Sequence, residues 1–441
     1  MSIFFHSLLY ILYLSLLVRV VFKWSFFEIE GTQKKHFAFF FLLKVAAGVL
    51  FTLIYTYYYT DQTKADIYRY FNDSKVIASV LFIDPVAWLK IMTGYGINEP
   101  EVFKYVLPTQ YFSHPGSDIV TNNTFIIRIN VLLNYLSFSN IYINTLFLNF
   151  ISFIGLTALF KALRPYFSQF QQILYVPIFL LPSVLFWSSG LLKESLLFAG
   201  LGFYLFAWLS TDSNLLRGFL MTVTATLTLM LVKLQVGVLT VFLFSAFLFL
   251  RRNSVSVLLR LALLLVISAL GFYFLGNDVS RILIEKRNEF AELALSENSG
   301  SSINSTILEP TITNLIKLLP EAFINSVLRP FVWDGGKVFQ KVFAVENLFF
   351  LLVLLFPLHF FKLPKGEKLL LCLAFLFFAL ANYMIIGITV PVMGAIVHYR
   401  IIAEPFLLLS VLLCVDLGQL KQYLSRFAIS SPLPIPHQKS R

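Results

Sequence analysis

Apolar residues in this chain of 441 are gathered into runs of roughly 17 to 23, the length that spans about 30 Å of hydrocarbon at about 1.5 Å per helical residue. Inside hydrocarbon, each run satisfies its own backbone N–H and C=O groups only as a helix. The runs lie near residues 3–22, 37–59, 141–160, 171–188, 195–210, 216–232, 234–250, 255–275, 347–361, 368–387 and 401–417. They predict an all-α, polytopic transmembrane helical protein, a single domain over residues 1–441 with about eleven spans. Hydrophobic residues make up 58% of the chain and charged residues 13%, against about 25% charged in a soluble domain, which excludes a water-soluble fold. Two further segments, Val76–Met92 and Thr124–Phe138, are apolar but interrupted by Asp84 with Pro85 and by Arg128 with Asn130. They read as helices lying in the interface. The first run, Ile3–Phe22, lacks the basic segment before it and the small-residue cleavage site after it that a signal peptide requires, and reads as a retained helix.

The net charge of +11 reports topology, not nucleic acid, because the cations sit between the apolar runs and not on one soluble face. Assigning loops alternately to the two sides puts 17 Lys and Arg against five acids at one set of loop ends. The opposite set holds two long loops, and in each the acids outnumber the cations: seven to five in Asp61–Asp118, nine to seven in Asp278–Glu346. Cytoplasmic loops are enriched in Lys and Arg, so the N-terminus is expected outside, the C-terminal tail 418–441 inside, and the long loops (about 60–140 and 276–346) on the outer face. Chemistry is therefore expected outside, since the inner loops are mostly long enough only to turn the chain. Cys372 and Cys414 lie within apolar runs, so neither a disulfide framework nor a metal-ligand spacing is present, and no metal or other cofactor is expected. Within the tail, Ser430–Arg441 has the Pro- and Ser-containing composition of a disordered segment.

Four outer segments carry candidate chemistry. Tyr59–Tyr70 opens the first long loop with two carboxylates among tyrosines; Asp66 is the candidate base, sharing a helical face with Tyr70, the alternative being an aromatic belt with solvated charges. Leu181–Glu194 reads as a tight hairpin in which Ser188, Ser189 and Gly190 let the backbone approach a ligand. Lys193 beside Glu194 can hold a phosphate as a point charge, or alternatively snorkel to the headgroups. Lys233, in a short outer turn, reads as an interfacial anchor. In the second long loop, Leu328–Gly336 places Arg329 before a proline and among aromatics, which suits phosphate or sugar recognition, or else a packed corner. Small residues Ser299–Ser302 and a sequon, Asn304-Ser305-Thr306, precede it. Finally, His398 and Arg400 stand at the outer start of the last run, where a cation against an apolar wall can rest on a lipid phosphate. Glu404 is one turn on and can pair with Arg400, and the alternative for His398 is structural.

Taken together, Asp66–Tyr70, Pro182–Glu194, Arg329-Pro330-Phe331 and Arg400 followed by Pro405 resemble segments of multispanning glycosyltransferases of the GT-C superfamily and of the related O-antigen and exopolysaccharide polymerases of bacterial inner membranes. The acidic segment here follows the second span, not the first as in the usual GT-C layout. The resemblance implies an outward-facing site and a polyprenyl-phosphate-linked sugar or oligosaccharide as donor. On this reading Asp66 is the catalytic base, and Tyr70, Lys193, Glu194, Arg329, His398 and Arg400 bind substrate. The competing class is a transporter or flippase of lipid-linked saccharides, which would place ionisable residues near the bilayer midplane on broken helices. A scaffold without a substrate is a third class. The topology predicts that cysteines introduced near Lys34 and Arg251 are shielded from an impermeant thiol reagent in intact cells while those near Ser117 and Ser299 react; equal labelling of both groups contradicts it.

Overall fold

A computed structural model describes residues 3–59, 61–113, 122–210, 214–251, 257–296, 303, 306–334 and 338–429. Ser117, Ser299–Ser302, Asn304 and Ser305 of the sequon, Gly335, Gly336 and the tail Ser430–Arg441 lie outside them, as do the loop charges Asp118, Asp212, Arg252, Glu297 and Lys337. The described chain is helical and divides into two compact units, Met1–Leu163 with Ile178–Phe244, and Arg164–Pro177 with Ser245–Arg441.

The first unit contains α1 (Ile3–Lys23), α2 (Lys34–Tyr57), α3 (Asp66–Val80), α4 (Pro85–Thr93), α5 (Pro100–Val106), α6 (Asn122–Ser137), α7 (Ile141–Leu163), α8 (Pro182–Trp187), α9 (Lys193–Leu209), α10 (Leu215–Val232) and the start of α11 (Leu234–Arg251). The interruption at Asp84 and Pro85 is a helix start. The Asp84 carboxylate accepts the Ala87 N–H at 2.9 Å and Pro85 takes the first turn, where its missing N–H costs nothing. Buried amides join α3, α6 and α7: Asn134 donates to Ser74 Oγ at 2.9 Å, and Asn144 donates to Asn134 Oδ1 at 2.8 Å. Helices α7 and α9 approach on glycines, as helices do in hydrocarbon where no hydrophobic force presses them together. A Cβ on Gly202 would lie 1.8 Å from the Gly155 carbonyl oxygen.

The second unit contains the end of α11, then α12 (Val257–Ser296), α13 (Ile312–Phe323), α14 (Val338–Leu355), α15 (Glu367–Thr389), α16 (Met393–Tyr399), α17 (Glu404–Leu413) and α18 (Leu417–Ile429). Helix α15 is its centre, packed against α12, α13 and α17. The two cysteines meet there, Cys372 Sγ lying 3.3 Å from Cys414 Sγ.

Among the described residues, seven continuous helices are long and apolar enough to cross a membrane: Ile3–Lys23, Lys34–Tyr57, Ile141–Phe167, Leu215–Val232, Leu234–Arg251, Val338–Phe360 and Glu367–Thr389. An eighth crossing is available if Met393–Ile402 and Glu404–Leu413, bent by 47°, act as one. The other three predicted runs take different forms. Run 195–210 is α9, of 17 residues, and run 255–275 opens the 40-residue α12. Run 171–188 is not one helix: Gln171–Leu180 tightens and widens in pitch along its length and ends before Leu181, and α8 begins at Pro182, whose ring removes a backbone donor and clashes with a preceding turn. The close approach of α7 and α9 predicts that Gly202→Leu costs at least about 1 to 3 kcal/mol by overpacking. Gly218→Leu, at a position with nothing within 4 Å, should leave the thermal unfolding temperature in detergent unchanged. Equal melting of the two variants would contradict this packing.

Candidate functional site

Beyond the first turn of helix α2, which holds Lys34, Lys35 and His36, the one charged residue is Lys44, buried at the helix's middle. A buried lysine must place its terminal nitrogen against hydrogen-bond partners. Lys44 Nζ donates to Ser188 O at 2.7 Å, Ser188 Oγ at 2.6 Å and Ser189 Oγ at 3.2 Å, all on the loop that follows α8. Ser195 Oγ donates back to Ser188 O at 2.9 Å, closing the loop onto the first turn of α9. Two glycines make this possible: a Cβ on Gly48 would lie 2.5 Å from Ser189 O, and one on Gly190 would lie 2.7 Å from the Phe51 ring. The start of α9 is thereby fixed, and its first two residues are Lys193 and Glu194.

Opposite Lys193 stands α3, with Asp66, Tyr70 and Asp73 about one turn apart along it. Asp66 in the first turn also favours the helix dipole. The buried Asp73 carboxylate accepts the backbone N–H groups of Gln110 and Tyr111, each at 2.9 Å. Burial pushes this carboxyl above its usual range, while those two bonds and Arg69 pull the other way. The segment so pinned carries Tyr111, whose hydroxyl donates to Asp66 Oδ1 at 3.4 Å and whose ring lies 5.5 Å from that of Tyr70. Burial first, and the Asp66 charge second, push the Tyr111 phenol up to about 12, so at neutral pH it is a donor. Tyr70 donates to Asn123 Oδ1 at 3.0 Å, and Lys193 Nζ donates to the same oxygen at 2.8 Å, with its ammonium 5.8 Å from the Tyr70 ring centroid.

The first unit thus holds a carboxylate and an ammonium joined through two phenols and an amide. A half-buried Asp66 can take a proton from a hydroxyl, Lys193 can hold an anionic leaving group, and the half-buried Tyr111 ring offers an apolar face with a polar tip, while Tyr70, expected to bind substrate, is 1% exposed and supports Tyr111 and Asn123 from behind. Glu194, which follows Lys193 in the first turn of α9, is buried. Arg128, buried on α6, ties that helix to α4 by donating to the Ile91 carbonyl at 3.1 Å and bonds Thr124 Oγ1 at 2.9 Å, and burial lowers its pKa to about 10.

The remaining sequence candidates belong to the second unit. Arg329 is 3.8 Å from Asp334 and 5.8 Å from the Phe331 ring centroid, while Phe331 stacks on Trp333 at 4.9 Å. Arg400 is a correction to the expectation of a cation against an outer wall, since its side chain is 1% exposed. It pairs with Glu404 at 2.8 Å, one turn away, and donates from Nη1 to the Arg329 carbonyl at 2.5 Å, which is what makes its burial tolerable. His398 packs on the Tyr399 ring at 5.0 Å. The seven candidates therefore form two sets: Asp66, Tyr70, Lys193 and Glu194 in one unit, and Arg329, His398 and Arg400 in the other.

Four residues at the first site escaped the sequence reading. Lys44 was visible as the only charge in run 37–59, and Asp73 lies seven residues beyond Asp66, on the same face. Tyr111 and Asn123 gave no local signal, being brought in by the fold from distant parts of the first long loop. Among the described residues no group of three or more His, Cys, Asp or Glu side chains is arranged to hold a metal ion. No family model, no curated protein and no solved structure matches this chain. The Lys44 clamp predicts that Lys44→Met, which keeps the length and loses the donors, destabilises by about 1 to 3 kcal/mol through the unpaired Ser188 and Ser189 groups. That loss would be read as a lowered unfolding temperature in detergent, and unchanged melting would contradict it.

Proposed function

We propose that this protein is a membrane glycosyltransferase or polysaccharide polymerase that uses a polyprenyl-linked sugar donor at the outer face of a bacterial inner membrane. The observation that carries this reading is the pairing of Asp66 with Lys193 across Tyr111, Tyr70 and Asn123. Transfer of a glycosyl group from a lipid diphosphate requires a base at the acceptor hydroxyl and a cation at the departing phosphate. Asp66 takes the first role and Lys193 the second, with Tyr111 packing against the sugar and the buried Tyr70 holding Asn123 beside Lys193. In the second unit Arg329 is the anion-binding cation. Arg400 supports it through its carbonyl, and His398 lines the same region.

The topology belongs to the proposal as well. The crossings number about eleven if α9, the first part of α12 and the broken run 171–188 also enter the bilayer, with the N-terminus outside and the C-terminus in the cytoplasm. At about 1.5 Å per residue, the 40-residue α12 is long enough to cross and project beyond. The second reading, a transporter or flippase of lipid-linked saccharides, draws on Lys44 and on the Arg400–Glu404 pair, which are ionisable groups buried in apolar helices beside a break. Against it, all three Lys44 donors are occupied by the loop they hold, leaving the ammonium no hand for a substrate.

Reconstituted in liposomes with a radiolabelled polyprenyl-diphosphate-linked saccharide, the wild type should give lipid-free or elongated product. Asp66→Asn should lower turnover by about 100-fold or more, the usual scale of one acid–base group. Lys193→Met should lower it comparably at unchanged protein abundance. Undiminished product from both variants, or movement of intact donor between leaflets without bond cleavage, would reject the enzyme reading.

A further inference from the structure

The second unit has an apolar groove with a volume of about 340 Å³ that belongs to neither polar cluster. Phe349 and Phe356 form one side, Leu408 and Leu412 of α17 another, and Leu420 and Leu424 of α18 the third. The chain around it is tied into one corner: Lys362 N donates to Cys414 O and Asp416 N to Phe360 O, each at 2.9 Å. Tyr423 closes on the Phe360 ring at 5.4 Å. Helix α18 is amphipathic. Leu420 is buried, and Lys421 and Arg426 are exposed.

The charges around this corner are not balanced. Lys362 is taken up by Asp416 at 2.9 Å and Glu367 by Arg251 at 3.2 Å. Lys365, Lys368, Lys421 and Arg426 are exposed and have no acid partner among the described residues. An apolar slot whose lining helix α18 and adjoining segment 361–368 also carry four exposed cations complements a molecule with a hydrocarbon chain and an anionic head. A nucleic acid or an acidic peptide would leave the slot unfilled. Polybasic segments next to membrane-crossing helices draw acidic headgroups to within a Debye length, and an amphipathic helix supplies the apolar contact that holds them. We propose that this corner is a binding site for an anionic phospholipid, with one acyl chain in the groove and the headgroup phosphate on Lys365, Lys368, Lys421 and Arg426. The site is separate from the saccharide chemistry and stands whether or not that reading does.

Native mass spectrometry of the purified full-length protein, with phosphatidylglycerol or phosphatidylcholine of matched chains added, tests it. Wild type should retain phosphatidylglycerol at least tenfold over phosphatidylcholine. The fourfold variant Lys365→Gln, Lys368→Gln, Lys421→Gln, Arg426→Gln, altered only at exposed positions, should lose that preference. Leu424→Trp, which fills the groove from a partly exposed position, should lower retention of both lipids. Equal retention of the two lipids by wild type, or an undiminished preference in the fourfold variant, would overturn the proposal.

Discussion

The arrangement of the first unit depends on one buried lysine. Lys44 sits midway along an apolar helix and is satisfied entirely by Ser188 and Ser189, so the loop after α8 has one place it can go. Without that loop there is no fixed beginning to α9, and without it Lys193 has no reason to meet Asn123. A charge in hydrocarbon costs several kcal/mol unless it finds partners, and the same cost enforces the geometry once the partners are found. The glycines at 48 and 190 serve the same end, since each lets backbone or ring come closer than a side chain would permit.

Asp73 does for the first long loop what Lys44 does for the loop after α8. A buried carboxylate that accepts two consecutive backbone N–H groups holds a segment rather than a point, and the segment carries Tyr111 to Asp66. Both anchors are polar groups in apolar surroundings, spent on backbone and hydroxyl partners. Asp66 and Lys193, by contrast, are only half-buried. In the second unit the fully buried Arg400–Glu404 pair likewise supports Arg329, which retains some exposure.

The helical class and most of the apolar helices were legible in the sequence because span length and backbone satisfaction admit one solution. Run 171–188 was legible as apolar, but its break before Pro182 was not, because average apolarity hides a residue whose effect is on hydrogen bonding. At the site, Asp66 with Tyr70 and Lys193 with Glu194 were legible as polar residues set in apolar or aromatic context. Their link was not, because Tyr111 and Asn123 come from other parts of the chain and nothing in their local sequence marks them. Arg400 was legible as half of a pair with Glu404, but spacing says nothing of burial, and burial changes its role from an exposed contact to a support.

What unites these observations is the claim that the Asp66–Lys193 cluster is where a lipid-linked saccharide is held. The most direct measurement is an experimental structure of the protein in a lipid nanodisc with added polyprenyl diphosphate. The account predicts diphosphate density within hydrogen-bonding distance of Lys193 Nζ, beside the Tyr70 ring, with the Lys44 clamp intact. Diphosphate density elsewhere with that cluster empty, or a Lys193 turned away from Asn123 and Tyr70, would contradict it.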